Sequence, residues 1–145
     1  NWQRVPTLEE ALDVAGRAIG MILELKVEGI GNEACAIVKR TGFPGPLIYA
    51  SFLMPELQRV RQTDPDAKIM VLQHRRLPPD PVADVVALDA SHVGLHFSTV
   101  TPMLLQTYHN LGRQVFVYTV NEPQDIQRMR NLGVDGIISD FPDRI

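Results

Sequence analysis

Cysteine is nearly missing from this chain of 145 residues, in which Cys35 stands alone. An intramolecular disulfide is therefore excluded, and a zinc site built on cysteines can be set aside. An excess of basic charge is missing as well. Lys and Arg number 14 against 17 Asp and Glu, a net charge of −3, whereas a nucleic-acid partner would leave a basic stripe. No apolar run approaches the roughly 18 residues of a membrane-crossing helix. No Gly-x-Gly-x-x-Gly follows an apolar run, so a dinucleotide crevice lacks its usual sign. The nearest cluster, Gly29-Ile30-Gly31, lacks the third glycine. The chain opens Asn1-Trp2-Gln3-Arg4, with neither Met nor a signal-peptide pattern. A cytoplasmic protein is the expectation, one whose amino terminus lies further upstream. What is present is ordinary globular composition, 45% hydrophobic and 21% charged. Its length suits one domain spanning residues 1–145.

Six short β-rich runs recur, at 20–26, 47–52, 68–74, 93–97, 114–121 and 134–140. Their starts lie roughly 20 to 27 residues apart, the length of a strand, a helix and two short loops. Between them apolar residues return at three- and four-residue steps: Ala34, Ile37 and Val38; Leu57 and Val60; Leu104, Leu105 and Tyr108; Ile126, Met129 and Leu132. Thr7-Leu8-Glu9-Glu10 fits a capping box. Thr101-Pro102 puts a cap before a proline at the first helical position, and Asn121-Glu122-Pro123 is expected to do the same. Gly112 and Gly133 sit where a left-handed helix end is wanted. Strict β-α alternation implies a parallel sheet, either an open doubly wound sheet or a (β/α)8 barrel. The barrel needs eight units, and only six are visible.

The first run carries the chemistry. Side chains alternate faces along a strand, so Met21, Leu23, Leu25 and Val27 share an apolar face. Ile22, Glu24 and Lys26 share the other, which puts two opposite charges at the strand's carboxyl end, where barrel enzymes keep their active groups. The plainer alternatives are an edge strand whose second face meets water, or a structural ion pair. Elsewhere Val93 and Leu95 share one face while Gly94 and His96 share the other, which makes His96 a candidate for the pocket. His74-Arg75-Arg76 follows the third run and reads as a surface feature. His92 and His109 show no supporting partner, and Asp140 reads as a helix cap. Residues 75–81 form a proline-rich loop suited to substrate contact.

Val5-Pro6-Thr7-Leu8-Glu9-Glu10-Ala11-Leu12, Leu23-Glu24-Leu25-Lys26, Ala50-Ser51-Phe52, Val117-Tyr118-Thr119-Val120-Asn121 and Leu132-Gly133-Val134-Asp135-Gly136-Ile137-Ile138-Ser139-Asp140-Phe141-Pro142-Asp143 together resemble the glycerophosphodiester phosphodiesterases, in the correct order across the whole chain. The resemblance implies a (β/α)8 TIM barrel, here an incomplete barrel of about six β/α units. It implies metal-dependent hydrolysis of glycerophosphodiesters to an alcohol and glycerol 3-phosphate. Under it Glu24 is a carboxylate ligand of a divalent metal, Ca or Mg, which hard oxygen donors suit. Lys26 meets the substrate phosphate, Phe52 shapes the pocket, and Tyr118 replaces a tryptophan that commonly lines it. His96 is taken as a further residue of the pocket wall.

The family's His-Arg-Gly motif, its Glu-x-Asp metal pair and its second catalytic histidine belong to two β/α units that this chain lacks. One carboxylate is a poor Ca²⁺ site, since that ion takes six to eight oxygens. The 145 residues alone are thus expected to be inactive, and to self-associate through the strand edges near Gly20 and Val134. The rivals are a non-catalytic remnant binding glycerol phosphate or a partner chain, and an aldolase-type barrel with a Schiff-base lysine. For the latter Lys26 is poorly placed, because Glu24 favours the charged ammonium.

Overall fold

A computed structural model describes residues 4–16 and 18–145. The chain divides into two compact units, Asn1–Lys68 and Ile69–Ile145. The first carries helix α1 (Leu8–Ala15), strand β1 (Met21–Glu24), α2 (Gly31–Thr41), β2 (Leu47–Ser51) and α3 (Met54–Thr63). Strand β3 (Lys68–Leu72) begins at the boundary. The second unit continues with α4 (Ala83–Ala87), β4 (His92–His96), α5 (Pro102–Asn110), β5 (Gln114–Tyr118), α6 (Pro123–Leu132) and β6 (Gly136–Ile137). All six strand runs expected from the sequence are strands, and α4 is an addition: five residues after a proline-rich loop hold too little periodicity to be seen.

In the first unit β1 and β2 pair in parallel, with Glu24 opposite Ala50. The capping box is complete: Glu10 N–H donates to Thr7 Oγ1 at 3.3 Å and Thr7 N–H to Glu10 Oε2 at 2.9 Å. Along β1 exposure alternates, and Leu25 just beyond it is buried while Lys26 is exposed. Val27 departs from the expected apolar face. It is 58% exposed, because the extended chain ends before it and the alternation lapses in the loop.

That loop is held by a buried carboxylate. Glu56, in the first turn of α3, is inaccessible to solvent. Its Oε1 accepts from Gly29 N–H at 2.7 Å and its Oε2 from Gly31 N–H at 2.8 Å, while Arg59 pairs with Oε1. Gly31 opens α2, so an internal anion fills the anion-binding end of that helix. A Cβ at Gly31 would lie 2.9 Å from the Glu56 carbonyl oxygen, which accounts for the glycine. The glycine cluster of the sequence thus grips a side chain rather than a nucleotide phosphate.

In the second unit β3 to β6 lie in chain order, each parallel to the next. Ile69, Val71, Val93, Leu95, Val115 and Val117 are fully buried or nearly so and alternate with the residues of the opposite face. On that opposite face Leu72, Gly94, Phe116 and Gly136 stand in one register row. A Cβ at Gly94 would meet Leu72 Cδ2 at 2.5 Å, and one at Gly136 would meet the Phe116 ring at 2.7 Å. Glycines beside bulky neighbours let the row close without strain. His92, next to Met70 in the row below, is buried. It lies edge-on to Phe116 and 2.8 Å from Ser91 Oγ, so it has the partners that the sequence did not reveal.

Burial raises the Glu56 carboxyl pKa, but the amides of Gly29 and Gly31, with the Arg59 charge, outweigh it and hold the net value below the ordinary 4.5. The ionised form is therefore favoured in the native state. Its stabilisation is complete above pH 4.5 and fades as pH falls through the lowered native value. Glu56→Ala is expected to cost about 3 kcal/mol, by stripping two backbone donors and a guanidinium of their partner. Glu56→Gln should cost less and should flatten the acid limb of stability. Urea unfolding between pH 3 and 7 checks both.

Candidate functional site

The first unit presents a paired acid and base. Lys26 Nζ lies 3.4 Å from Glu24 Oε2, with the lysine side chain 74% exposed and the glutamate 34%. Both stand at the carboxyl end of β1. Ser51 ends β2 beside them and is fully buried. Its hydroxyl donates to Leu25 O at 2.6 Å and accepts from Leu53 N–H at 2.9 Å. Ser51 therefore ties the two strand ends together, and the half-buried Phe52 follows it into the turn before α3. Beside β1 is an open hollow of about 290 Å³ whose lining includes Leu23, Glu24, Leu25, Ile30 and Glu33. Among the described residues, no three His, Cys, Asp or Glu side chains come together in a cation-binding cluster.

The second unit gathers an aromatic and polar cluster at the carboxyl ends of β3, β4 and β5. His96 and Tyr118 are register partners, with ring centroids 6.0 Å apart and edge to face. Phe97 stacks on His96 at 4.8 Å. His96 Nδ1 accepts from Ser98 N–H at 3.2 Å and lies 2.8 Å from Ser98 Oγ, which leaves the neutral ring's proton on Nε2. Partial burial, reinforced by the Arg75 charge, lowers the pKa of His96 and favours the neutral ring. The Tyr118 hydroxyl donates to the carbonyl of Gln73, at the end of β3.

Gln73 also pins the loop that follows it. Its Nε2 donates to Pro81 O. The Tyr108 hydroxyl lies 2.7 Å from the same carbonyl and 3.2 Å from Gln73 Oε1. Burial, with Asp80 adding to it, pushes the Tyr108 pKa up to about 12, so this donor persists across the working pH range. Sequence reasoning missed Gln73 and Tyr108. Tyr108 read only as an apolar helix position, and nothing in its spacing signalled the hydroxyl's use.

Three further sequence readings are corrected. His109 has a partner, Asp135 Oδ2 at 2.8 Å, and Asp135 also accepts from Val115 N–H at 2.7 Å. Asp140 caps no helix. It accepts from Asn121 Nδ2 at 2.9 Å and its N–H donates to Asn121 Oδ1 at 3.0 Å. That exchange occupies Asn121, so α6 begins at Pro123 behind Glu122 with no side-chain cap, its proline in the first turn as expected.

The chain resembles known proteins along nearly its whole length. The model of the glycerophosphoryl diester phosphodiesterase family matches residues 2–144. The chain belongs to that family. Its fold is that of an incomplete (β/α)8 barrel of six β/α units. A glycerophosphodiester phosphodiesterase of Caldanaerobacter subterraneus subsp. tengcongensis is 28% identical over 99% of this chain. YhdW of Bacillus subtilis is 27% identical over 99%. This family member spans 61% of the length of each. A phosphodiesterase of Oleispira antarctica, solved with the product sn-glycerol-3-phosphate, superposes with a TM-score of 0.85 at 26% identity, over 97% of this chain and 59% of that one. No helix among the described residues is long and apolar enough to cross a membrane.

Removing the Arg75 charge tests the electrostatics around His96. Arg75→Gln is expected to raise the His96 pKa part of the way towards its ordinary 6.5, since the burial that lowers it most remains. Histidine ring signals followed by NMR from pH 5 to 8 measure the shift.

Proposed function

We propose that these 145 residues are the part of a glycerophosphodiester phosphodiesterase that holds the diester phosphate, a domain without the first two β/α units of its family. The carrying observation is the Glu24–Lys26 pair, two opposite charges 3.4 Å apart at the carboxyl end of β1. An ammonium on a flexible stem is a compact donor for a phosphate oxygen. At rest Glu24 balances it, and a bound phosphodiester anion competes for it. In the second unit His96 and Tyr118 wall the end of the strands, and the neutral His96 offers its Nε2–H as a hydrogen-bond donor.

A divalent cation is part of the same reading, with Glu24 as one of its carboxylates. The residues in hand do not fit such an ion on their own. Ca²⁺ takes six to eight oxygens, Glu24 supplies one carboxylate, and the nearest charge to it is an ammonium. The second reading is a module that binds glycerol phosphate without hydrolysing it, with Lys26 again as the donor to the phosphate. Self-association fits either reading. β1 pairs with β2, and its alternate backbone groups, at Ile22 and Glu24, face away from β2.

Two measurements test the proposal. Titration calorimetry with sn-glycerol 3-phosphate should detect binding by the wild-type chain, weakened about tenfold by Lys26→Ala, the scale of one hydrogen bond to a charged group. Unchanged affinity in that variant would remove Lys26 from the phosphate. Incubation with glycerophosphocholine and Ca²⁺ should give no turnover above background, and rapid release of choline would overturn the expected inactivity of the 145 residues.

A further inference from the structure

The sequence carries two paired-basic dipeptides, Lys39-Arg40 and Arg75-Arg76. Neither has a part in the phosphate contact proposed above, and the fold treats them in opposite ways. Lys39 and Arg40 lie in the last turn of α2, which closes with the Gly42 N–H on the carbonyls of Val38 and Lys39. Arg40 is ion-paired with Glu9, and Lys39 Nζ donates to Thr63 O at 3.4 Å. Both residues are exposed, yet their backbone is tied into a helix.

Arg75 and Arg76 stand in a loop of the second unit. Residues 74–76 and 78–80 are exposed. No residue of 75–79 joins a backbone–backbone hydrogen bond among the described residues. Leu77 and Pro78 each precede a proline, which pushes their backbone towards the extended form. An endoprotease takes its substrate in that form, with the backbone groups free to pair along its cleft as an added strand. Exposed loops are where such nicking concentrates. The residue after Arg76 is Leu77, so no proline blocks the bond between them.

We propose that this loop is a processing site, at which an endoprotease specific for paired basic residues cleaves the Arg76–Leu77 bond of the folded chain. Carboxylates in the protease pockets take the two guanidiniums. Water adds its oxygen to the Arg76 carbonyl carbon, the C–N bond breaks, and the Leu77 nitrogen takes up the proton. The products are residues 1–76, ending in a carboxylate, and residues 77–145, beginning with an amine.

The cut leaves the pieces together, because the contacts that span it lie within the second unit. Met70, Val71 and Leu72 of β3 pair with His92, Val93 and Gly94 of β4. Ile69, Met70 and Val71 are buried. Gln73 N–H donates to Gly94 O at 2.9 Å, its carbonyl accepts from the Tyr118 hydroxyl, and its Nε2 donates to Pro81 O. The processed form is therefore a nicked protein of two associated chains.

The test incubates the folded whole chain with a paired-basic endoprotease and reads the products by mass spectrometry. Each rate is divided by that of a peptide of the same sequence, residues 34–45 or 70–81, so that sequence preference cancels. Cleavage after Arg76 should then outpace cleavage after Arg40 by about a hundredfold, the cost of opening two or three backbone hydrogen bonds at a helix end. Arg76→Gln should abolish the cut and leave the bond after Arg40 intact. The nicked chain should elute from a gel-filtration column where the intact chain does, and divide only in denaturant. Equal or faster cutting after Arg40, or a folded chain that resists at both bonds, overturns the site. Pieces that part in native buffer overturn the nicked two-chain form.

Discussion

The position of the first unit's charged pair depends on a carboxylate that meets no solvent. Glu56 takes the amides of Gly29 and Gly31 and the Arg59 guanidinium, and so closes the turn only three residues beyond Lys26. Desolvating a carboxylate is costly, and two short backbone hydrogen bonds with a paired cation are what offset it. The geometry leaves little slack, since a side chain at Gly31 would run into the Glu56 backbone. The same residues that would signal a phosphate loop in another protein are spent here on an internal anion. Under the proposed reading the phosphate-facing role falls instead to a side chain, Lys26, just ahead of the closed turn.

The second unit reaches a comparable end by another route. There the organising group is neutral: the Gln73 amide and carbonyl gather Tyr108, Tyr118 and Pro81. Because burial keeps the Tyr108 phenol protonated far above neutral pH, the cluster does not change with pH in the working range. His96, a few ångströms from Tyr118, is the group there whose charge state is open to influence, and its surroundings favour the neutral ring.

Much of the architecture was legible in the sequence because it rests on periodicity. Alternation along β1 separated Glu24 and Lys26 from Leu23 and Leu25, caps marked α1 and α5, and helical steps with a leading proline marked α6. What escaped depends on contacts between residues far apart in the chain. Glu56 lies 27 positions from Gly29; Tyr108 lies 35 from Gln73. His92 and His109 gained partners only through folding, and Asn121 gave up a capping role to bind the Asp140 segment. Local rules describe what a residue can do, and a tertiary partner decides which option is used. The candidate site divides the same way: its charges were readable, but the loop pins and the tautomer of His96 were not.

Net charge alone would mislead about the ligand. The chain carries −3 overall, which by itself argues for repelling a phosphodiester. In the second unit Asp125 is paired with Arg128, while Asp80 and Asp140 accept only from neutral donors, a backbone amide and Asn121, and keep their charge. In the first unit, Glu24 balances Lys26 but leaves its side chain open to solvent. The local field is set by which charges remain exposed and how near they stand, since screening reduces distant ones within about 10 Å at ordinary salt. A mildly acidic protein can therefore present cations where a strand ends. That distribution, rather than the total, is what an incoming anion would meet, and it is what supports the proposed reading of Glu24 and Lys26 as part of a phosphate grip rather than a complete metal centre.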